Sequence, residues 1–288
     1  MLIEAKYQSH HIPTIAAIGI VAWCIFAVLH EILGHAGAAI LLGEQVQGAV
    51  TTTVHIADFY NLEHVTDRIG WWGFRTVAAA GTFVNFLAAT LALLFLRSKS
   101  VTLPAMRYFL WFFATLSIFQ QAFWLAVMPF ASLGGDWAAF FIELRPAIPW
   151  KLGATLTGII LLWIGFKVPL RLWATTFGTG TQHSDLIWQL SSVPLVAAFT
   201  VQIFSVLWSP LSGSRYTTLV SLFSFIPLMI WLVIFNTTKH FQDNSSSETI
   251  RIERSYGWMA AGIIVAIIFI GVLGPGIGSF EGHPNYLK

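Results

Sequence analysis

His30, Glu31 and His35 lie within the apolar stretch AVLHEILGHAGAA, whose other residues are Ala, Val, Ile, Leu and Gly. Ionisable groups at membrane depth cost at least a few kcal/mol unless they are paired or put to use. A His-Glu pair followed by a second His on one helix is the pattern of zinc hydrolases. There two neutral imidazoles hold the ion, and the glutamate takes a proton from the attacking water. Four residues between the histidines would put both rings on one face, but here the interval is five. On a regular helix it leaves the rings roughly 140° apart. One residue absorbed in a π-bulge would bring them back together, and Gly34 makes such a distortion cheap. The competing arrangement keeps the helix regular and pairs Glu31 with His35, four residues on.

A third ligand must reach the same depth from another segment. The third apolar run ends in MPFASLGGDWAAFF, where Asp136 follows a proline and two glycines near the same face as the exit half of the first run. Asp136 is a candidate carboxylate ligand in a broken segment, or else the N-cap of the helix after it. The second run carries a lone amide, Asn85, beside the small residues Ala78 to Gly81. Buried amides need partners. Asn85 could donate to a substrate carbonyl or a developing oxyanion, or join two helices.

The whole chain must hold these residues in a bilayer. Of 288 residues, 56% are hydrophobic and 10% charged, against roughly 25% charged in a soluble domain. An all-α polytopic membrane protein is expected, with about seven transmembrane helices near 14–42, 71–96, 104–128, 152–174, 186–209, 216–236 and 257–275. A short β element, Val46 to Ile56, lies between the first two. Residues 1–150 form one membrane core with a strand-containing loop at 44–70. Residues 151–288 add an accessory four-helix region with a polar loop at 238–256. A net charge of +2 argues against a nucleic-acid partner, and the single cysteine, Cys24, rules out a thiolate cluster. The N-terminus lacks the order of a cleaved signal peptide, so the first helix is expected to stay. More Lys and Arg residues, Lys6, Arg97, Arg107 and Arg171 among them, fall on the N-terminal side, favouring a cytoplasmic N-terminus. His55, Asp58, Glu63, His64 and Asp67 read as a solvated loop, and His10, His11, His183, His240 and His283 as solvated tails or loops. Trp71, Trp72, Trp150 and Trp258 near span ends read as an interfacial belt.

Three segments together resemble the site-2 protease family of intramembrane zinc metalloproteases. They are His30-Glu31-Ile32-Leu33-Gly34-His35, Ala80-Gly81-Thr82-Phe83-Val84-Asn85, and Pro129 through Leu133-Gly134-Gly135-Asp136. The likeness covers roughly residues 20–140. It departs from the family pattern at the interval before His35, at Thr82 where the family has proline, and at Asp136, two positions beyond the family's aspartate. The resemblance implies a Zn2+ ion on His30, His35 and Asp136, with Glu31 as general base and acid and Asn85 supporting the tetrahedral intermediate. It also implies a substrate that is a transmembrane segment of another protein in the lipid bilayer, unwound and aligned by edge pairing with the strand. A multi-pass protein of the cell membrane is the corresponding location. The residues alone also fit a transporter using the same His/Glu/Asp cluster as a cation or proton path, or a non-catalytic protease relative.

Overall fold

The computed structural model describes residues 10–57, 59, 61–98, 100–130, 135–177, 184–211 and 251–281. Six helices there are long and apolar enough to cross a membrane. They are α1 (Ile12–Leu41), α2 (Leu62–Arg97), α3 (Pro104–Val127), α5 (Ala147–Phe177, apolar over Ala147–Pro169), α6 (Ser184–Leu207, apolar over Gln189–Leu207) and α7 (Tyr256–Leu273). A short helix, α4 (Asp136–Phe140), separates α3 from α5. Helices dominate because each satisfies its backbone polar groups internally, as lipid requires. The expected span at 216–236 lies outside the described residues, as does most of the polar loop at 238–256.

Local sequence sets the helix boundaries. Pro13 stands in the first turn of α1, and His11 caps it by accepting the Thr14 amide on Nδ1. The helix stops at Gly43, whose φ of 85° suits a residue without a Cβ. In α2, Gly70 (φ 71°) kinks the chain, and the helix resumes from Trp71. α1 and α3 are the most buried spans, and α5 and α7 the least. α1 packs against α3, α6 and α7. The largest core cluster draws Ile15 and Ile18 together with Trp111, Phe119, Leu190 and Phe269.

The expected strand is a hairpin of β1 (Val46–Val50) and β2 (Thr53–Ile56). β1 also pairs antiparallel with β3 (Ile277–Gly278), giving the order β2-β1-β3. β3 lies just past α7, and no local pattern marks it as a strand. Phe280 follows it into a buried cluster with Val50 and Leu211.

Three histidines read as solvated are not. His10 is buried and accepts the Ile252 amide on Nδ1 at 3.1 Å. His11 is half-buried, with Nδ1 2.8 Å from the Thr14 hydroxyl. His55 is buried, donates from Nδ1 to the Ser279 carbonyl at 2.8 Å and stacks on Phe280. The reason is the same in each case: a segment distant in sequence folds back over the tail or loop. Glu63, His64 and Asp67 are exposed as expected, whereas Asp58, His183, His240 and His283 lie outside the described residues.

Candidate metal centre

Within α1, residues Leu29–Ala36 form a π-helix. Its wider turn absorbs the fifth residue between the histidines. Both rings therefore reach one side, edge to face, with centroids 4.8 Å apart. The regular-helix alternative is not what forms, and His35 bonds to other partners than Glu31. Gly34 contributes more than a cheap distortion. A Cβ there would come within 2.4 Å of Gly81 Cα, so α1 and α2 touch backbone to backbone at this level. A Cβ on Gly81 would in turn meet the His30 ring at 2.6 Å. The pair of glycines makes the space in which His30 sits.

Asp136 joins them from α4. It occupies the first position of that helix, after Gly135 (φ 91°), and Gly135 rather than Asp136 is the N-cap. Its carboxylate is thus free to face the histidines. Oδ2 lies 3.0 Å from His30 Nε2 and 3.3 Å from His35 Nε2, and the two Nε2 atoms are 3.2 Å apart. Bonds of about 2.0–2.2 Å to a tetrahedral zinc place neighbouring donors roughly 3.3–3.5 Å from one another. The three edges come within a few tenths of an ångström of that triangle. Burial alone would raise the Asp136 pKa, but in the metal-free centre His35 and His30, when protonated, outweigh this and hold the carboxyl well below the usual carboxylate range.

Hydrogen bonds behind the rings define their lone pairs. His35 Nδ1 lies 2.7 Å from the Val77 carbonyl, which can only accept, so Nδ1 carries a proton, and in the neutral ring Nε2 is left bare. A carbonyl behind a ring nitrogen is also what orients histidine metal ligands. With both rings neutral, the single proton available at the centre, on His30 Nε2, faces two acceptors. Such a cluster of two imidazoles and a carboxylate is electron-rich and can hold a metal ion.

Glu31 stands beside the cluster, within electrostatic reach of His30, His35 and Asp136. Asn85 is fully buried and meets His30 from the opposite edge of the ring, its Nδ2 3.4 Å from Nδ1. All five residues singled out from the sequence therefore lie around one point.

Two further residues, Gln121 and Arg75, support the centre, and Thr82 joins the first. Gln121 on α3 sits 3.3 Å from the same His30 Nδ1, and the Thr82 hydroxyl donates to its Oε1 at 2.7 Å. Arg75 is buried between Trp71 and Trp72 and donates to the carbonyls of Phe140 and Ile142. It thereby ties the C-terminal end of α4, and with it Asp136, to α2. Their signals were present: adjacent amides, Gln120 and Gln121, in an apolar run, and a cation just inside a span.

No protein-family model, curated protein or solved structure matches this chain. The geometry of the centre therefore carries the functional reading.

Proposed function

We propose that the chain is an intramembrane zinc-dependent endopeptidase of the cell membrane, acting on transmembrane segments of other proteins. One observation carries this reading. A π-helix, at a cost in regular hydrogen bonding, brings two histidines, and α4 a carboxylate, to donor separations that suit one tetrahedral ion.

A zinc ion held by His30, His35 and Asp136 would supply Lewis acidity, acidifying a water and polarising the scissile carbonyl. The chain's own groups do the rest. Glu31 accepts a proton from the attacking water as its oxygen adds to the carbonyl carbon. It then returns that proton to the leaving amide nitrogen as the C–N bond breaks. Val77 keeps His35 in the tautomer that leaves Nε2 bare. Asn85, buried on the Nδ1 side of His30, is better placed to hold that ring than to touch a reacting carbonyl. The substrate's backbone must be unwound, because an intact helix hides its carbonyls.

The test pairs metal content with cleavage of a membrane-inserted reporter whose transmembrane segment contains helix-breaking residues. Wild-type protein is expected to hold about one zinc per chain and to cut the reporter. Glu31→Gln should keep the metal and lose cleavage by 10²–10⁴-fold, on the order expected for a lost general base. Asp136→Asn should lose zinc. Protein without bound metal after careful detergent exchange removes the enzyme reading. Zinc binding without cleavage in either protein favours a non-catalytic relative or a cation path built on the same cluster.

A further inference from the structure

His30 can bind a metal through Nε2 only if its proton is on Nδ1, and that proton then needs an acceptor. Two carboxamides face Nδ1, those of Gln121 and Asn85. In the orientation of the structure both present nitrogen. The two ends of a carboxamide are nearly isosteric, and a half-turn about the last bond exchanges them. What differs between the two residues is the consequence of that half-turn.

For Asn85 the half-turn would exchange one orphan for another. Its Oδ1 is buried with no partner, and the turn would put an unpaired NH2 in the same place. For Gln121 nothing is lost. Its far end is held by the Thr82 hydroxyl, and a hydroxyl accepts as readily as it donates. The freed hydroxyl proton can go to a carbonyl in the preceding turn of α2, as helical threonines commonly arrange. Gln121 and Thr82 are both buried, so water does not compete for these bonds.

We propose that Gln121, held in place by Thr82, is a positioning residue for His30: its Oε1 accepts the Nδ1 proton and so fixes the tautomer and ring orientation that let Nε2 bind metal. This inference rests on the zinc reading above. It gives α3, which contributes no ligand, a direct hold on the metal centre. It also assigns a purpose to Thr82, which stands where the resembled family has proline.

The experiment measures zinc affinity of the full-length protein in detergent, by competition with a chromophoric chelator, alongside the cobalt(II) absorption spectrum of each variant. Gln121→Leu is expected to weaken zinc binding about 10–100-fold, the range for loss of a partner behind a metal-bound histidine. Thr82→Val should produce a smaller loss in the same direction. Gln121→Glu, which keeps an acceptor and cannot present a donor when ionised, should restore at least wild-type affinity. Gln120→Leu serves as a control for removing a buried amide from the neighbouring position, and should leave affinity and cobalt spectrum unchanged. Wild-type protein that binds zinc while Gln121→Leu binds it equally well overturns this inference and leaves the metal centre standing. Equal losses in Gln120→Leu and Gln121→Leu, without rescue by Gln121→Glu, also overturn it, because they report a packing effect. Wild-type protein that binds neither zinc nor cobalt overturns both.

Discussion

Two π-helical segments occur among the described residues, and they share a backbone but not a chemistry. The first, Leu29–Ala36, carries two histidines and a glutamate; the second, Phe269–Leu273 at the end of α7, reads FIGVL. Each has a glycine, inside it or just past it, that permits close approach. Gly34 meets Gly81, and Gly274, just past the second segment, would place a Cβ 2.7 Å from the Ser205 carbonyl of α6. A widened turn is therefore a packing device that this fold uses at two helix crossings. It becomes a metal centre only where ligand-bearing side chains occupy it and an acidic residue from elsewhere completes the set. A π segment alone is weak evidence of function; the residues within it decide.

The comparison is sharpest where ligands are removed. His35→Ala is expected to abolish zinc binding and cleavage together, since it removes both a donor and the ring fixed by Val77. Ile270→Ala, in the second segment, should leave zinc stoichiometry unchanged. Metal analysis of the two purified variants checks this. Loss of zinc in both would mean that the π geometry, rather than its side chains, governs the centre.

The glycine crossings offer a finer contrast. Gly34→Ala and Gly274→Ala should each destabilise the protein by about 1–3 kcal/mol, the usual cost of overpacking. Unfolding in detergent measures that cost. Only Gly34→Ala should also weaken zinc binding, because separating α1 from α2 moves His30 away from Asp136. Equal zinc affinity in the two variants would show that the centre tolerates a shift of the helix pair.

A smaller effect is expected away from both segments. Arg75→Lys keeps the charge but loses the planar fork that reaches the Phe140 and Ile142 carbonyls. A loss of about 1–3 kcal/mol in stability is expected, together with weaker zinc binding through looser placement of Asp136. Zinc affinity should also fall as pH drops, since protons compete for the imidazole nitrogens. A chelator titration at pH 5.5, 6.5 and 7.5 reads this directly.

The parts of the centre legible in the sequence were those whose residue type is itself anomalous in lipid. His30, Glu31, His35 and Asp136 stand out against an apolar background, and the five-residue interval requires a widened turn if both rings are to share one ion. The six spans among the described residues were legible for the same reason, since apolar length alone marks them. The roles of Gln121, Thr82 and Arg75 were not, because they depend on which faces of α2, α3 and α4 meet. His10, His11 and His55 were misread on similar grounds. Nothing near them in sequence shows that Ile252 or Ser279 returns to cover them. Interval and composition speak for single helices; contacts between helices have no comparable signature.

The bond from His55 to Ser279 joins positions 224 residues apart. During synthesis β1 and β2 emerge early, yet β1 cannot gain its second neighbour until α7 has been made and inserted. The sheet is then finished last among the described elements, by residues that follow the final described helix. Contacts of such long sequence separation form late and slowly. Until they form, one edge of β1 stands open to pairing with any extended chain nearby, so the interval between insertion of α1 and arrival of β3 is when the nascent protein is most exposed to mispairing.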